Sequence, residues 1–258
     1  MNTHSEINSV HLQSAINNSL IDKNMINDEY IKKHKLLECL QEFKGATKTG
    51  NSAKEREKSL EEPFKLLAKK MLHGGYFTVV DEKDEELYKI ELRSIEFYYH
   101  EEENYTETNR ILDPIVYHKN TPSSKKKDAF RTGTLNTHVS GIDITFEDQI
   151  DARYRASALI RTFYYIGKDG KKELIKHPTK LYDYLFMKRP LPEIHIKWID
   201  IKDVDYEHSK LYYGQRINVF DYQNGKRTEI IDPRNWGFSK EKITITGSPA
   251  KFRGYAFN

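Results

Sequence analysis

YKIELRSIEFY, residues 88–98, is the segment that decides the fold of this 258-residue chain. In its first half the apolar residues occupy even positions, whereas from Ile95 onward they occupy odd positions. Alternation with a period of two is typical of a half-buried β-strand. The change of phase therefore predicts a bulge or bend near Arg93 and Ser94.

The same segment places a carboxylate beside an aromatic ring. Beyond the bend, Glu96 and Tyr98 are two residues apart, and we expect them to face the same side of the strand. A carboxylate flanked by apolar strand residues is costly unless it is paired or used in chemistry. An exposed glutamate on the solvent face of the strand is the alternative interpretation.

Strand-like segments dominate the chain from Tyr76 onward. They are residues 76–80, 87–92, 95–99, 142–146, 158–165, 194–201, 215–222 and 243–246. Apolar residues recur at helical spacing in residues 27–45 and 178–187. A third helix is expected between Ser59, which would cap it together with Glu62, and Gly74, which would end it. The pattern predicts an α+β fold, a single domain with a curved, mainly antiparallel β-sheet and flanking helices.

The first part of the chain differs in composition from the rest. Residues 1–26 are rich in Asn and Ser, and residues 47–57 are polar and predict a linker. We therefore expect an N-terminal extension, residues 1–58, with one amphipathic helix, and an α+β domain over residues 59–258.

Composition limits the classes of function. With 42 Lys+Arg and 39 Asp+Glu the net charge is only +3, so any attraction to nucleic acid must be local. The single cysteine, Cys39, excludes an internal disulfide framework and a multi-cysteine zinc site. No apolar run is long enough to span a membrane. We expect a protein of the cytoplasm, or of the nucleus in a eukaryote, with no membrane partner.

Seven short motifs follow one another from residue 59 onward. They are PFKLLAKKMLHG (63–74) leading to Glu96-x-Tyr98, PIVYH (114–118), GTL (133–135), ALIR (158–161), HPTKLYDYL (177–185), RINV (216–219) and GSP (247–249). Their order resembles the alkyladenine (3-methyladenine) DNA glycosylase family over about three quarters of the chain. Enzymes of this family flip a damaged base out of duplex DNA and hydrolyse its N-glycosidic bond.

The resemblance implies a role for each matching residue. Glu96 matches the family's general base, which deprotonates the attacking water and stabilises the developing sugar cation. Tyr98 and His118 would sandwich or hydrogen-bond the flipped base. Arg161 would hold the nucleotide's phosphate and orient the water. The resemblance implies a monomeric, monofunctional enzyme that needs no metal and no cofactor and leaves an abasic site.

Departures from the family pattern concern the substrate. The hairpin at residues 136–143 is short and lacks the family's wedge tyrosine, so His138 and Val139 are the candidates for filling the gap left by the base. Asp143 stands where the family has an asparagine, and its acidic acceptor would favour a base with an exocyclic amino group. An ordinary carboxylate in a turn or at a strand edge is the alternative for Asp143. The long loop at residues 101–113 would widen the pocket for a bulkier base.

Positive charge is concentrated between His118 and Gly133. The cations of this segment are Lys119, Lys125, Lys126, Lys127 and Arg131, with Asp128 as the only acid near them. A cluster of this kind predicts a stripe that binds the phosphates of double-stranded DNA, whereas a solvated loop is the alternative.

Two other functions remain open. One is a DNA-binding module that does not catalyse. The other is a metal-dependent nuclease whose candidate ligands would be His100, Glu101, Glu102, His118, His138 and Asp143, although their spacing fits no closed ligand pattern. The sequence does not separate repair of damaged DNA from defence against modified foreign DNA, because the chemistry is the same.

Overall fold

The computed structural model describes residues 26–46, 52–102, 110–113, 116, 131–147, 153–187, 194–216, 220–223, 226–229 and 234–242. The described helices are α1 (Asp28–Lys33), α2 (Leu36–Glu42), α3 (Ala53–Lys58), α4 (Glu61–His73) and α5 (Lys180–Tyr182), which continues as a π-helical segment (Asp183–Met187). The described strands are β1 (Gly75–Asp81), β2 (Glu86–Glu101), β3 (Leu135–His138), β4 (Gly141–Glu147), β5 (Tyr154–Gly167), β6 (Lys172–Ile175), β7 (Ile194–Asp200), β8 (Tyr212–Gly214), β9 (Phe220–Gln223), β10 (Lys226–Glu229) and β11 (Gly237–Ser239).

A curled antiparallel half-barrel organises the chain, which confirms the predicted α+β class. Its strand order is β3-β4-β5-β2-β1-β7, with β6 beside β5 and β11 between β2 and β8. Strand β2 changes neighbours along its length. Residues 86–90 pair with β1, whereas residues 94–96 pair with β11.

The predicted phase change corresponds to two successive bulges. Between Leu92 and Ser94 the pairing of β2 with β5 skips Arg93, and between Ser94 and Ile95 it skips Arg161 on the partner strand. A skipped residue bends its strand and re-aims the side chains beside it. The bulges therefore mark the point at which β2 leaves β1 and joins β11.

The main core lies on one face of the sheet, beneath α4. Phe64 of α4 stacks on Phe97 of β2 with ring centroids 4.4 Å apart, and Phe43 meets Phe146 of β4 edge-on at 5.2 Å. Because Phe97 faces this core, the residues on either side of it face away from it. This placement confirms that Glu96 and Tyr98 share a face.

The N-terminal helices contribute to the same core. Buried side chains from residues 26–46 include Ile31, Leu36 and Leu40. The prediction of one helix over residues 27–45 is wrong, because the backbone is extended at His34. The ring of His34 stacks on Tyr30 at 3.8 Å, and the backbone N–H of Leu36 donates to Asp200 of β7 at 2.9 Å. The predicted boundary after residue 58 stays a prediction.

Two local predictions at the start of α4 are wrong. Residues 53–57, predicted as part of a linker, lie in α3, and the Ser52 hydroxyl caps this helix by accepting a hydrogen bond from the backbone N–H of Glu55. Ser59 does not cap α4, whose N-cap is Leu60, but ends α3 by donating to the carbonyl of Arg56 at 2.7 Å. Gly74 follows the last residue of α4, as predicted.

Toward the C-terminus the predicted strands match the described strands only in part. Instead of the strand predicted over residues 215–222, the described residues form β8 and β9 on either side of residues 217–219. The segment 243–246 lies outside the described residues. None of the helices in the described part of the chain is both long enough and apolar enough to cross a membrane.

Candidate functional site

A row of residues crosses three neighbouring strands on the sheet face opposite the main core. Asp143 of β4 pairs with Leu159 of β5, and Leu159 pairs with Glu96 of β2. Residues paired across antiparallel strands point to the same side, and neighbouring strands lie about 4.8 Å apart. The Cα atoms of Glu96 and Asp143 are therefore about 10 Å apart, two strand spacings. We call this face, with Asp143, Leu159, Glu96, Tyr98 and Arg161, the site face.

Glu96 is fully buried on this face and is held by two neighbours. The Tyr98 hydroxyl donates a hydrogen bond to its Oε2 atom at 2.7 Å, and Arg161 Nε lies 3.6 Å from the same oxygen. Arg161 is the residue that the register of β5 skips, so the bulge directs its guanidinium toward the carboxylate. The first interpretation of the sequence, a paired carboxylate, is confirmed over an exposed strand glutamate.

The Tyr98 hydroxyl is held in its protonated form. Burial, which disfavours the phenolate, raises the pKa of Tyr98 well above its ordinary value, and the negative charge of Glu96 raises it further. A protonated phenol donates its O–H as a hydrogen bond. Tyr98 therefore fixes the position of the Glu96 carboxylate.

A buried ion pair supports Tyr98 from one side. The Arg216 guanidinium lies 4.6 Å from the centroid of the Tyr98 ring, donates to the carbonyl of Phe97 at 3.2 Å, and pairs with Asp113 at 2.6 Å. One face of the ring is thus covered by a cation. Tyr98 also forms a small apolar cluster with Val116 and Leu159, separate from the main core.

A second polar group occupies the Asp143 end of the site face. The Ser157 hydroxyl donates to Asp143 Oδ2 at 2.9 Å, and His138 Nε2 lies 3.1 Å from Asp143 Oδ1. The His138 and Asp143 side chains are only 3% and 5% exposed. This burial contradicts the alternative of an ordinary turn carboxylate for Asp143.

The hairpin of β3 and β4 connects this group to the surface. Its turn consists of Val139 and Ser140, and Val139 is 85% exposed. Gly141 follows the turn with φ at +146°, and a Cβ there would lie 3.1 Å from both Leu159 and Pro178. The hairpin therefore approaches the site face too closely at Gly141 for a side chain to fit without movement.

Of the predicted site residues, the structure brings two groups together on one face. Glu96, Tyr98 and Arg161 form the first, and Asp143 with His138 forms the second. Arg131 is exposed at the start of the hairpin, where its carbonyl accepts from Thr145. His118, Lys125, Lys126 and Lys127 lie outside the described residues, as do Lys119 and Asp128.

Arg216 and Asp113 are the supporting residues that the sequence did not reveal as a pair. They are 103 positions apart, and no local pattern connects two residues so distant. Arg216 belongs to one of the short motifs of the sequence, RINV at residues 216–219, and this was the available signal.

Two of the candidate ligands for a metal-dependent nuclease form ion pairs with arginines instead. Glu101 faces the main core and pairs with the buried Arg56, while Glu102 pairs with Arg155 at 2.7 Å. Within the ranges that the structure describes, no group of three or more His, Cys, Asp or Glu side chains is arranged to hold a metal ion.

Comparisons with known proteins assign no family to this chain. The chain matches no model of a known protein family, and a search of curated proteins finds no match.

Proposed function

We propose that this protein is a monofunctional DNA N-glycosylase that hydrolyses the bond between a flipped, modified base and its sugar. The observation that carries the proposal is the buried Glu96 carboxylate held between Tyr98 and Arg161. A carboxylate fixed in a water-poor site is suited both to accepting a proton and to stabilising a nearby positive charge. The proposal also uses the resemblance of the motifs described above.

In the proposed reaction, the bond between C1′ and the base nitrogen breaks, and the base leaves with the bonding electron pair. The sugar gains the character of an oxocarbenium ion, which the negative charge of Glu96 stabilises. A water molecule adds its oxygen to C1′ and gives its proton to Glu96. The Glu96 proton then passes to solvent or to the departing base, and an abasic site remains.

The neighbours of Glu96 take positioning roles. Tyr98 holds the carboxylate oxygen that its hydroxyl contacts, and Arg161, 11% exposed at its side chain, extends from that oxygen toward the surface. A guanidinium there is suited to holding the phosphate of the flipped nucleotide. His118 is proposed as a further contact to the base.

Val139 is the proposed wedge in the duplex. It is an apolar residue at the tip of a two-residue turn and is 85% exposed, whereas His138 beside it is turned inward against Asp143. Apolar side chains that enter a base step support an opened duplex in other minor-groove binders. Lys125, Lys126, Lys127 and Arg131 are proposed to hold the flanking phosphates.

Labelled duplexes carrying alkylated, deaminated or hypermodified bases test the proposal. They are incubated with the protein in EDTA, and abasic sites are then cleaved with alkali. We expect at least one duplex to be cut, and Glu96→Gln to slow the cut about a hundredfold or more, the effect typical of a lost general base. Glu91→Gln is the matched control, because Glu91 lies on the same strand and also pairs with cations.

The same experiment separates the proposal from the alternatives. Binding without cleavage on every duplex would favour a DNA-binding module. Cleavage that EDTA abolishes would favour a metal-dependent nuclease. Equal rates for the protein and Glu96→Gln would remove Glu96 from the mechanism.

A further inference from the structure

Trp236 lies directly beside the strand that carries Glu96. It precedes β11, whose Gly237 pairs with Glu96. Its backbone carbonyl accepts a hydrogen bond from the N–H of Phe97 at 2.9 Å. The Trp236 side chain is buried, so it is shielded from any DNA at the surface. Trp236 therefore contacts β2 at the residue that separates Glu96 from Tyr98.

The indole ring of Trp236 supports the Arg216 guanidinium. The Cζ atom of Arg216 lies 5.5 Å from the centroid of the Trp236 ring and 4.6 Å from the centroid of the Tyr98 ring. A guanidinium within about 6 Å of an aromatic face is attracted to it, and more strongly where water is excluded. Arg216 contacts both rings, while Asp113 balances its charge at 2.6 Å. The guanidinium thus connects the Trp236 ring to the Tyr98 ring.

Trp236 is itself held from two parts of the fold. The ring of Phe64 in α4 meets it edge-on at 5.2 Å. The Cζ atom of Arg234 lies 5.1 Å from its centroid, and Arg234 donates to Oε1 of Glu57 in α3 at 2.7 Å and 2.9 Å. A closely packed side chain of this kind keeps one rotamer. Trp236 can therefore act as a rigid support for Arg216.

We propose that Trp236 is a positioning residue for Glu96, acting through Arg216 and Tyr98. The inference rests on the proposed function, in which Glu96 is the general base. Each step is a contact in the structure, and the last is the hydrogen bond of 2.7 Å that the Tyr98 hydroxyl donates to Glu96. A general base acts only when it is held in reach of the proton it accepts. Loss of the indole ring should let Tyr98 shift and release the carboxylate from that position.

Two substitutions of Trp236 test the proposal on a duplex that the protein cleaves. Trp236→Leu removes the aromatic ring and should lower kcat about tenfold, because a small misplacement of a catalytic group is costly. KM should stay unchanged, since the buried side chain does not contact the duplex. Trp236→Phe keeps a ring beside Arg216 and should restore kcat to within about threefold of the unchanged protein.

A double-mutant cycle separates positioning from a merely structural role. In Tyr98→Phe the hydroxyl is already absent, so adding Trp236→Leu should lower kcat further by less than about twofold. A structural role would lower kcat by the same factor in both backgrounds. The control is Trp198→Leu at the second tryptophan of the chain, which packs on Phe77 at 4.9 Å. This control should lose stability in urea and keep its kcat.

A spectroscopic measurement covers the case of a variant that fails to fold. In the unchanged protein the Nε–H proton of Arg216 should resonate upfield of that of the exposed Arg131, because ring currents of two aromatic side chains act on it. A resonance at the position of Arg131 would overturn the inference, as would equal effects of Trp236→Leu in the two backgrounds. Cleavage that requires Glu96 but is unaffected by Trp236→Leu would contradict the inference alone. The absence of an abasic product from every duplex would contradict both the inference and the proposed function.

Discussion

Removing the Tyr98 hydroxyl tests how Glu96 is held. Tyr98→Phe deletes the 2.7 Å hydrogen bond to Glu96 and keeps the ring against Val116, Leu159 and Arg216. No cavity larger than an oxygen atom forms, so the effect isolates the hydrogen bond. The substitution thus measures one contact of a buried carboxylate.

The expected magnitude follows from the kind of bond. A hydrogen bond to a charged group contributes about 1.5–3 kcal/mol to stability, and here both partners are buried. We expect the free energy of unfolding to fall by about that amount. If the hydroxyl also fixes the general base in the transition state, the same energy lowers kcat by about tenfold to a hundredfold.

Urea unfolding and single-turnover kinetics measure the two effects separately. The control is Tyr182→Phe, since Tyr182 is 44% exposed and should change stability little. If Tyr98 positions Glu96, Tyr98→Phe should lower kcat and leave KM unchanged, because the phenylalanine ring can still stack on the flipped base. Tyr98→Leu, which removes the ring, should raise KM if the base stacks there. Unchanged stability in Tyr98→Phe would refute the reasoning.

Three further predictions concern folding and DNA binding. Arg56→Met should lower the free energy of unfolding by about 3–5 kcal/mol in urea titrations, because it leaves the buried Glu101 charge without its cation. Burial raises the pKa of Cys39 from 9.0 to about 12, so its contribution to stability is complete below pH 9 and is lost as the pH rises toward 12. Urea midpoints measured across that range should fall less steeply in Cys39→Ala. Replacing residues 125–127 with alanine should weaken binding to all duplexes equally and make the negative slope of log K against log salt shallower by about 3.

The local part of the fold could be predicted because it depends on neighbouring residues. The change of alternation within residues 88–98 lies in the sequence itself, and it located the bulge at Arg93. The bulge at Arg161 has no such signal, because the residues before it on β5 are buried on both faces of the sheet. From Ala158 to Ile160 every residue is apolar, so no change of alternation is visible in the sequence just before Arg161.

Helix caps were only partly predictable because two similar signals compete. Ser52 with Glu55 and Ser59 with Glu62 both have the spacing of a capping box, and only Ser52 caps a helix, by accepting a hydrogen bond from the backbone N–H of Glu55. The difference comes from a distant partner, since the buried pair of Arg56 with Glu101 holds α3 against β2. Tertiary contacts thus decide between local alternatives of similar strength.

For the site, too, neighbouring residues could be predicted from the sequence, whereas contacts from distant residues could not. Sequence spacing places Glu96 and Tyr98 on one face, but it does not determine their environment. That environment comes from Val116, which packs on Tyr98, and from Arg216, which covers one face of the ring and is itself paired with Asp113. The buried state of Glu96 is therefore maintained by a small cluster outside the main core. A substitution in that cluster should alter the site while the core beneath α4 stays intact, whereas a substitution in the core should act on both.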